Sequence, residues 1–253
     1  MSATAAVMLL SLLSGLTTWF GVMLAIRLRE DARALAVGIG FSAGIMVLIS
    51  ARELVPEAIS AMGLGATLGA AGAGAALVWA AHLVVPHTHL VKETGVADTM
   101  LIRSAYLVTF GLILHDVPEG FAMANAYVAA PALGLLVSLA IALHNVPEEF
   151  AMAVPLVMLK SRSSLYGAAL LSALAEPLGA AIGLVAVGIA PALNAFFLAF
   201  AAGAMLFVSV HELLPMARRY GWFPLFVAGG ALSVPVYWLL ARLTVGQVGG
   251  AAP

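Results

Sequence analysis

The chain has 253 residues, of which 63% are hydrophobic and 9% are charged, and its formal net charge is -1. Soluble domains usually carry roughly 25% charged residues, so the composition predicts a protein that crosses a membrane several times. Cysteine is absent, which excludes disulfides and thiolate metal sites. Because no basic or aromatic platform accompanies this balance of charge, we expect no nucleic acid partner.

Eight stretches are long and apolar enough to span a bilayer, which requires about 20 mostly apolar residues. We number them spans 1 to 8, and they cover approximately residues 4–26, 34–54, 63–85, 101–127, 132–157, 164–189, 192–216 and 222–245. The connections between them are short. We therefore predict one all-α transmembrane domain over residues 1–253.

Lysine and arginine residues are distributed unequally between the two ends of these spans. Nine of the 11 fall on one side, namely Arg27, Arg29, Arg33, Lys92, Arg103, Lys160, Arg162, Arg218 and Arg219. Only Arg52 and Arg242 fall on the other. Because the cytoplasmic side carries the excess of positive residues, both termini are predicted to lie outside the cytoplasm. The short loops favour a bacterial inner membrane.

Acidic residues are frequent in the spans. Seven of the 12 lie within or at the ends of spans: Glu53, Asp116, Glu119, Glu148, Glu149, Glu176 and Glu212. A charge at such a position costs roughly 2.5–3.5 kcal/mol on insertion scales. No lysine or arginine lies in mid-span to pair with them. The missing counter-charge is most simply a metal cation, or protons.

Two of these acidic groups belong to near-copies of one motif. LHDVPEGFAMA begins at Leu114 and LHNVPEEFAMA begins 29 residues later at Leu143, and the two match at nine of eleven positions. On a helix the His and the Glu of each copy are i,i+4 neighbours and project from one face. Imidazole and carboxylate are ligands that zinc prefers. Each copy also contains a proline that interrupts the helix hydrogen bonds and predicts a kink in spans 4 and 5.

A second repeat relates the end of span 2 to the end of span 7. Glu53-Leu-Val-Pro56-Glu57-Ala58 resembles Glu212-Leu-Leu-Pro215-Met216-Ala217. The predicted topology places these two segments at opposite faces of the membrane. Inverted repeats with broken helices and a site at mid-depth are typical of secondary transporters.

Span 6 contributes a further carboxylate, Glu176, which precedes Pro177. The mid-depth candidates for metal binding are then His115, Asp116, Glu119, His144, Asn145, Glu148 and Glu176. Seven exceed the four ligands of a closed tetrahedral zinc site. Either two metals share bridging carboxylates from Glu119 and Glu148, the interpretation we favour, or some of these residues only orient the ligands. Glu149 is either a proton or cation relay or a salt-bridged residue.

Other candidates lie at the two membrane faces. Glu53 and Glu57 are predicted at the outer mouth, where carboxylates would concentrate cations. His211 and Glu212 are predicted near the inner mouth. His87 and His89, in the loop between spans 3 and 4, form a short tract that either catches metal or is simply solvated.

At these residues the chain resembles the ZIP (Zrt-, Irt-like protein) family of divalent metal transporters. HDVPEG in span 4, HNVPEE in span 5, AEPLG in span 6 and HELLP in span 7 are similar to that family's motifs. The resemblance covers essentially the whole chain. It implies uptake of zinc, and often of iron, manganese or cadmium, towards the cytoplasm through a binuclear site on spans 4 to 6, often in a homodimer.

Two residues depart from the pattern of many family members, which have Asn where this chain has Asp116 and Gly where it has Glu149. Both departures add negative charge near the site. The added charge could tighten metal binding, admit harder metals such as manganese or iron, or change how protons couple.

We therefore predict transport of divalent cations by alternating access through a site at the membrane midplane. The alternative is an intramembrane metal-dependent enzyme, either a zinc hydrolase or a di-iron oxidase. His211-Glu212 has no second histidine in the spacing that zinc proteases use. Di-iron bundles use Glu-x-x-His, whereas this chain has His-x-x-x-Glu. We therefore expect that the chain is not an enzyme.

Overall fold

The computed structural model of the chain describes residues 2–28, 31–84, 111, 115–219 and 221–248. The described backbone is helical almost throughout and contains no β-strand. The helices are α1 (Ala3–Gly15), α2 (Thr18–Leu28), α3 (Ala32–Ile49), α4 (Val55–Met62), α5 (Leu64–Val84), α6 (residues 115–129), α7 (Pro131–Met158), α8 (Arg162–Ile189), α9 (Asn194–Val208), α10 (Leu214–Arg219) and α11 (Phe223–Val248). The predicted all-α architecture is confirmed.

Seven helical runs in the described part of the chain are long and apolar enough to cross a membrane. They are Ala3–Leu28, Ala32–Met62, Leu64–Ala81, Pro131–Met158, Arg162–Ile189, Pro191–Arg218 and Phe223–Thr244. These correspond to predicted spans 1, 2, 3, 5, 6, 7 and 8. For span 4 the structure describes the helix α6, and the predicted start of that span lies outside the described residues, as do His87 and His89.

Spans 2 and 7 each contain a five-residue π-helical turn, over Ser50–Leu54 and Ser209–Leu213. In each case the N–H that follows the turn bonds five residues back, from Val55 to the Ser50 carbonyl and from Leu214 to the Ser209 carbonyl. A proline comes next, Pro56 or Pro215, and falls in the first turn of a new helix, where its missing N–H costs little. The helical run of span 2 therefore continues to Met62, beyond the predicted end near residue 54.

The helix pairs repeat in the way that an inverted repeat requires. The α3 helix of span 2 packs along α11 of span 8, and α9 of span 7 packs along α5 of span 3. Span 1 is divided into α1 and α2, and both halves contact α7. The α7 helix also contacts α3, α8 and α11, so span 5 lies at the centre of the bundle and its polar residues are enclosed.

Candidate metal site

The His and Glu residues of the two repeated motifs lie together in the centre of the bundle. His115 and Glu119 on α6 and His144 and Glu148 on α7 are all buried, with at most 3% of each residue exposed. Glu119, His144 and Glu148 each offer a ligand atom, and these atoms lie within 4.8 Å of one another. Helical periodicity places each pair on one face of its helix, and the packing of α6 near α7 brings the two faces together.

His144 is oriented by a backbone carbonyl. Its Nδ1 lies 3.1 Å from the Ala140 carbonyl oxygen, one turn earlier on α7. Because a carbonyl only accepts, Nδ1 carries the proton, and in the neutral form of the ring Nε2 then presents a lone pair. That atom lies 3.0 Å from Glu119 Oε1. Two atoms that both carry lone pairs are brought together favourably when they share a cation, and this is the common arrangement for a metal-binding histidine.

His115 lies between two carboxylates. Its Nε2 is 3.4 Å from Glu148 Oε2, and its Nδ1 is 4.0 Å from Glu212 Oε2 on the π turn of span 7. Two ligands bound to one zinc ion at 2.0–2.2 Å are roughly 3.3–3.6 Å apart at a tetrahedral angle. The distance between His115 and Glu148 falls within that range. Glu212, predicted near the inner mouth, therefore reaches the edge of the central site.

Ser42 of α3 holds the carboxylate of Glu148. Its hydroxyl lies 2.6 Å from Glu148 Oε1 and 3.0 Å from the His144 carbonyl oxygen, and Ser42 is completely buried. A hydrogen bond donated to Oε1 leaves Oε2 facing His115. Ser42 was not among the residues selected from the sequence, where a single serine in an apolar span carries little signal.

Asn145 and Glu176 form a second polar group beside the first. The Asn145 side-chain amide donates a hydrogen bond to Glu176 Oε1 and lies 3.4 Å from the hydroxyl of Ser14 on α1. Glycine allows α8 to bring Glu176 close to α6, since a Cβ atom on Gly120 would overlap the Glu176 carbonyl oxygen and one on Gly179 would overlap the Val117 carbonyl oxygen. The Asn145–Glu176 group is therefore enclosed by spans 1, 4 and 6.

Asp116 lies in a third group, with Glu149 and Ser172. The Ser172 hydroxyl is 2.6 Å from Asp116 Oδ2 and also hydrogen-bonded to Glu149. Neither carboxylate forms an ion pair with lysine or arginine among the described residues, so the salt-bridged interpretation of Glu149 has no support in this part of the chain. Ser172, like Ser42, was missed in the sequence.

Several buried polar atoms of the candidate residues make no regular hydrogen bond within the described part of the chain. They are both ring nitrogens of His115, Oε2 of Glu119, Oδ1 of Asn145, Oε2 of Glu149 and Oε2 of Glu176. Buried polar groups are normally satisfied. Nitrogen and oxygen atoms of these types coordinate divalent cations, so a group of them without hydrogen-bond partners fits a metal site.

The outer-mouth candidates Glu53 and Glu57 line a cavity of about 400 Å³ together with Arg52 and Ser60. Glu53 also accepts a hydrogen bond from the hydroxyl of Tyr237 on α11. Arg52 lies over the Trp238 ring, 5.2 Å from its centroid. Of the inner-mouth candidates, His211 stacks on Phe207 with ring centroids 4.7 Å apart. Glu212, the other inner-mouth candidate, lies 4.0 Å from His115.

Comparison with known proteins identifies one family. Residues 85–228 match the model of the family described as "ZIP Zinc transporter". A protein of Chlorobium luteolum named zinc transporter ZupT is 39% identical over 251 residues, covering 90% of this chain and 94% of that protein. Proteins with the same name are 39% identical in Corynebacterium aurimucosum, covering 84% of this chain and 87% of that protein, and 34% identical in Escherichia fergusonii, covering 84% and 86%.

Proposed function

Since the chain belongs to the ZIP family of zinc transporters, we propose that it carries zinc across a lipid bilayer into the cytoplasm by alternating access. The family and the named relatives are transporters, which confirms the expectation that the chain is not an enzyme and removes the alternative of an intramembrane hydrolase or oxidase. An integral membrane location agrees with the helical runs described above.

The observation that carries the proposal is the buried group of Glu119, His144 and Glu148, whose ligand atoms lie within 4.8 Å of one another. Among the described residues, Glu119 and Glu148 are within ion-pair distance of His144 and His115 and of no lysine or arginine. A buried carboxylate without a cationic partner is costly. Zinc bound by His115, Glu119, His144 and Glu148 would supply the missing positive charge.

A second metal position is proposed next to the first. Glu119 Oε2, Asn145 Oδ1 and Glu176 Oε2 are buried without hydrogen-bond partners among the described residues. Glu119 and Glu148 would bridge the two ions. Asp116 would contact this position from the adjoining turn of α6.

Alternating access is proposed because the central ligands are enclosed. His115, Glu119, His144 and Glu148 are at most 3% exposed, so an ion reaches them only if the helices rearrange. The cavity at Glu53 and Glu57 would receive ions from outside. Glu212, with His211 and the loop that contains His87 and His89, would accept them on the cytoplasmic side.

We extend the proposal to the finer points of the sequence analysis. Both termini would lie outside the cytoplasm of a bacterial cell, in its inner membrane, and two copies would form a homodimer. Iron, manganese or cadmium would follow the same route when they replace zinc. The orientation rests on the distribution of lysine and arginine, and the bacterial membrane on the short loops. The homodimer and the other metals rest on the resemblance to the family.

The test is zinc flux into proteoliposomes that contain a zinc-sensitive dye. We expect flux with the parent chain and a loss of at least tenfold with Glu119→Ala or Glu148→Ala, because each change removes a central ligand. Ser138→Ala on α7 is the matched control, since Ser138 is buried but donates only to its own helix, at Gly134. Normal flux through either Glu variant would exclude this site assignment.

A further inference from the structure

The two repeated motifs differ at two positions, and at each position one copy has an acidic residue. These two acidic residues share one hydrogen-bonding partner. The first motif has Asp116 where the second has Asn145, and the second has Glu149 where the first has Gly120. Asp116 and Glu149 both contact the hydroxyl of Ser172. Their non-acidic counterparts Asn145 and Gly120 both lie against Glu176 instead. The two acidic residues that depart from the repeat, Asp116 and Glu149, therefore lie together as a pair in the bundle.

This pair lacks sufficient hydrogen-bond donors. A serine hydroxyl has one proton, so Ser172 donates to Asp116 or to Glu149 at any moment and not to both. The Thr18 hydroxyl on α2 also reaches the Glu149 side chain. Glu149 Oε2 nevertheless stays without a hydrogen-bond partner among the described residues, although Glu149 is only 4% exposed. One carboxylate oxygen beside the Ser172 contact is thus buried without a donor among the described residues.

The position of the pair is closely defined by packing. The α2 helix lies so near α7 that a Cβ atom on Gly21 would overlap the Glu149 backbone turn, meeting the Val146 carbonyl oxygen and the Glu149 Cβ atom. Asp116 is likewise only 4% exposed. Four helices, α2, α6, α7 and α8, supply the group, so its oxygen atoms are held in place rather than solvated.

We propose that Asp116, Glu149, Ser172 and Thr18 form a cation site of their own, beside the His/Glu site, that takes a hard divalent cation such as Mn²⁺. All four side chains present oxygen and none presents nitrogen or sulfur. Oxygen ligands suit hard cations, whereas imidazole suits zinc. The site shares Asp116 with the proposed second zinc position, but Glu149, Ser172 and Thr18 belong to neither zinc position. It rests on the proposed function only for the route by which ions reach it.

The test uses electron paramagnetic resonance of Mn²⁺ with purified full-length chain that has first been saturated with Zn²⁺. We expect the parent to retain one Mn²⁺ per chain without release of zinc. Glu149→Gln should weaken Mn²⁺ binding at least tenfold while zinc stoichiometry stays unchanged. Ser172→Ala should weaken it less and serves as a second variant. Asp31→Asn is the matched control, because Asp31 is exposed at the start of α3, the change removes one negative charge, and asparagine also caps a helix.

Zinc stoichiometry also reports whether each variant is folded. Equal Mn²⁺ affinity in the parent and in Glu149→Gln would overturn the proposal, as would displacement of zinc by Mn²⁺ or the absence of bound Mn²⁺ in the zinc-loaded parent. Failure of zinc flux alone would contradict the proposed function and leave this binding result intact, so the two can be separated.

Discussion

At the scale of single residues, Ser42 shows how a site of charged ligands depends on a neutral neighbour. The hydroxyl contacts both Glu148 and the His144 carbonyl oxygen, at 2.6 and 3.0 Å. It therefore ties span 2 to His144 and Glu148 on span 5. Hydrogen bonds to metal ligands typically contribute tenfold to hundredfold to metal affinity. Ser42 is positioned to orient Glu148 rather than to bind the ion itself.

We therefore expect Ser42→Ala to raise the KM for zinc about tenfold, with less change in the maximal rate, because the ligands remain but Glu148 loses its orientation. Zinc flux measured over a range of zinc concentrations in proteoliposomes checks this. Ser138→Ala removes a buried serine that bonds only to Gly134, at 2.8 Å, and should leave KM unchanged. Equal KM values for the two variants would show that Ser42 does not orient the ligand.

At the scale of helices, the crossing of α6 and α8 decides whether Glu176 reaches the other ligands. The contact is backbone against backbone: Gly120 faces the Glu176 carbonyl and Gly179 faces the Val117 carbonyl. Small residues allow helices in membranes to approach this closely. Any side chain at Gly179 would push α8 away from α6 and move Glu176 with it.

Gly179→Ala should lower the free energy of unfolding by about 1–3 kcal/mol, the usual cost of overpacking, and should weaken zinc binding. Gly188→Ala, on the same helix, is the control because a Cβ atom there meets nothing within 4 Å. Alanine has a higher helix propensity than glycine, so this change should raise the free energy of unfolding by up to about 1 kcal/mol. Thermal unfolding in detergent, with zinc titration of both variants, measures the difference. A Gly179→Ala variant as stable as Gly188→Ala would mean that the crossing adjusts freely.

At the scale of the whole molecule, the inverted repeat is visible in the helix packing as well as in the sequence. The α3–α11 and α9–α5 packings and the two π turns at Ser50–Leu54 and Ser209–Leu213 correspond to each other. The chemistry at the two turns differs, however. Glu212 approaches His115, at 4.0 Å, whereas Glu53 is hydrogen-bonded by Tyr237. The two turns are therefore not equivalent.

The orientation of the molecule can be tested simply because the chain contains no cysteine. We expect a membrane-impermeant maleimide to label Ser60→Cys, at the outer end of span 2, in intact cells. Ser163→Cys, at the start of α8, should react only after the membrane is permeabilised. Both positions are exposed serines, so the two variants are matched. The reverse labelling pattern would contradict the predicted topology and the direction of uptake.

The sequence alone predicted the helices and the two His/Glu pairs that the structure brings together. Long apolar runs predict spans because a bilayer requires them, and their ends agree with the helices to within a few residues except at span 2. The i,i+4 spacing of His115 with Glu119 and of His144 with Glu148 follows from the helix period. Repetition of the motif then identifies both helices as parts of one site.

Only the tertiary structure determined how the groups around these ligands are arranged. It placed Asp116 with Glu149 and Ser172, directed Ser42 to Glu148, and linked Glu53 to Tyr237. It also revealed the π turns that extend span 2. The physical reason is that helical periodicity specifies which residues share a face of one helix, whereas the rotation of a helix against its neighbours depends on close contacts between residues far apart in the chain, such as Gly179 with Val117.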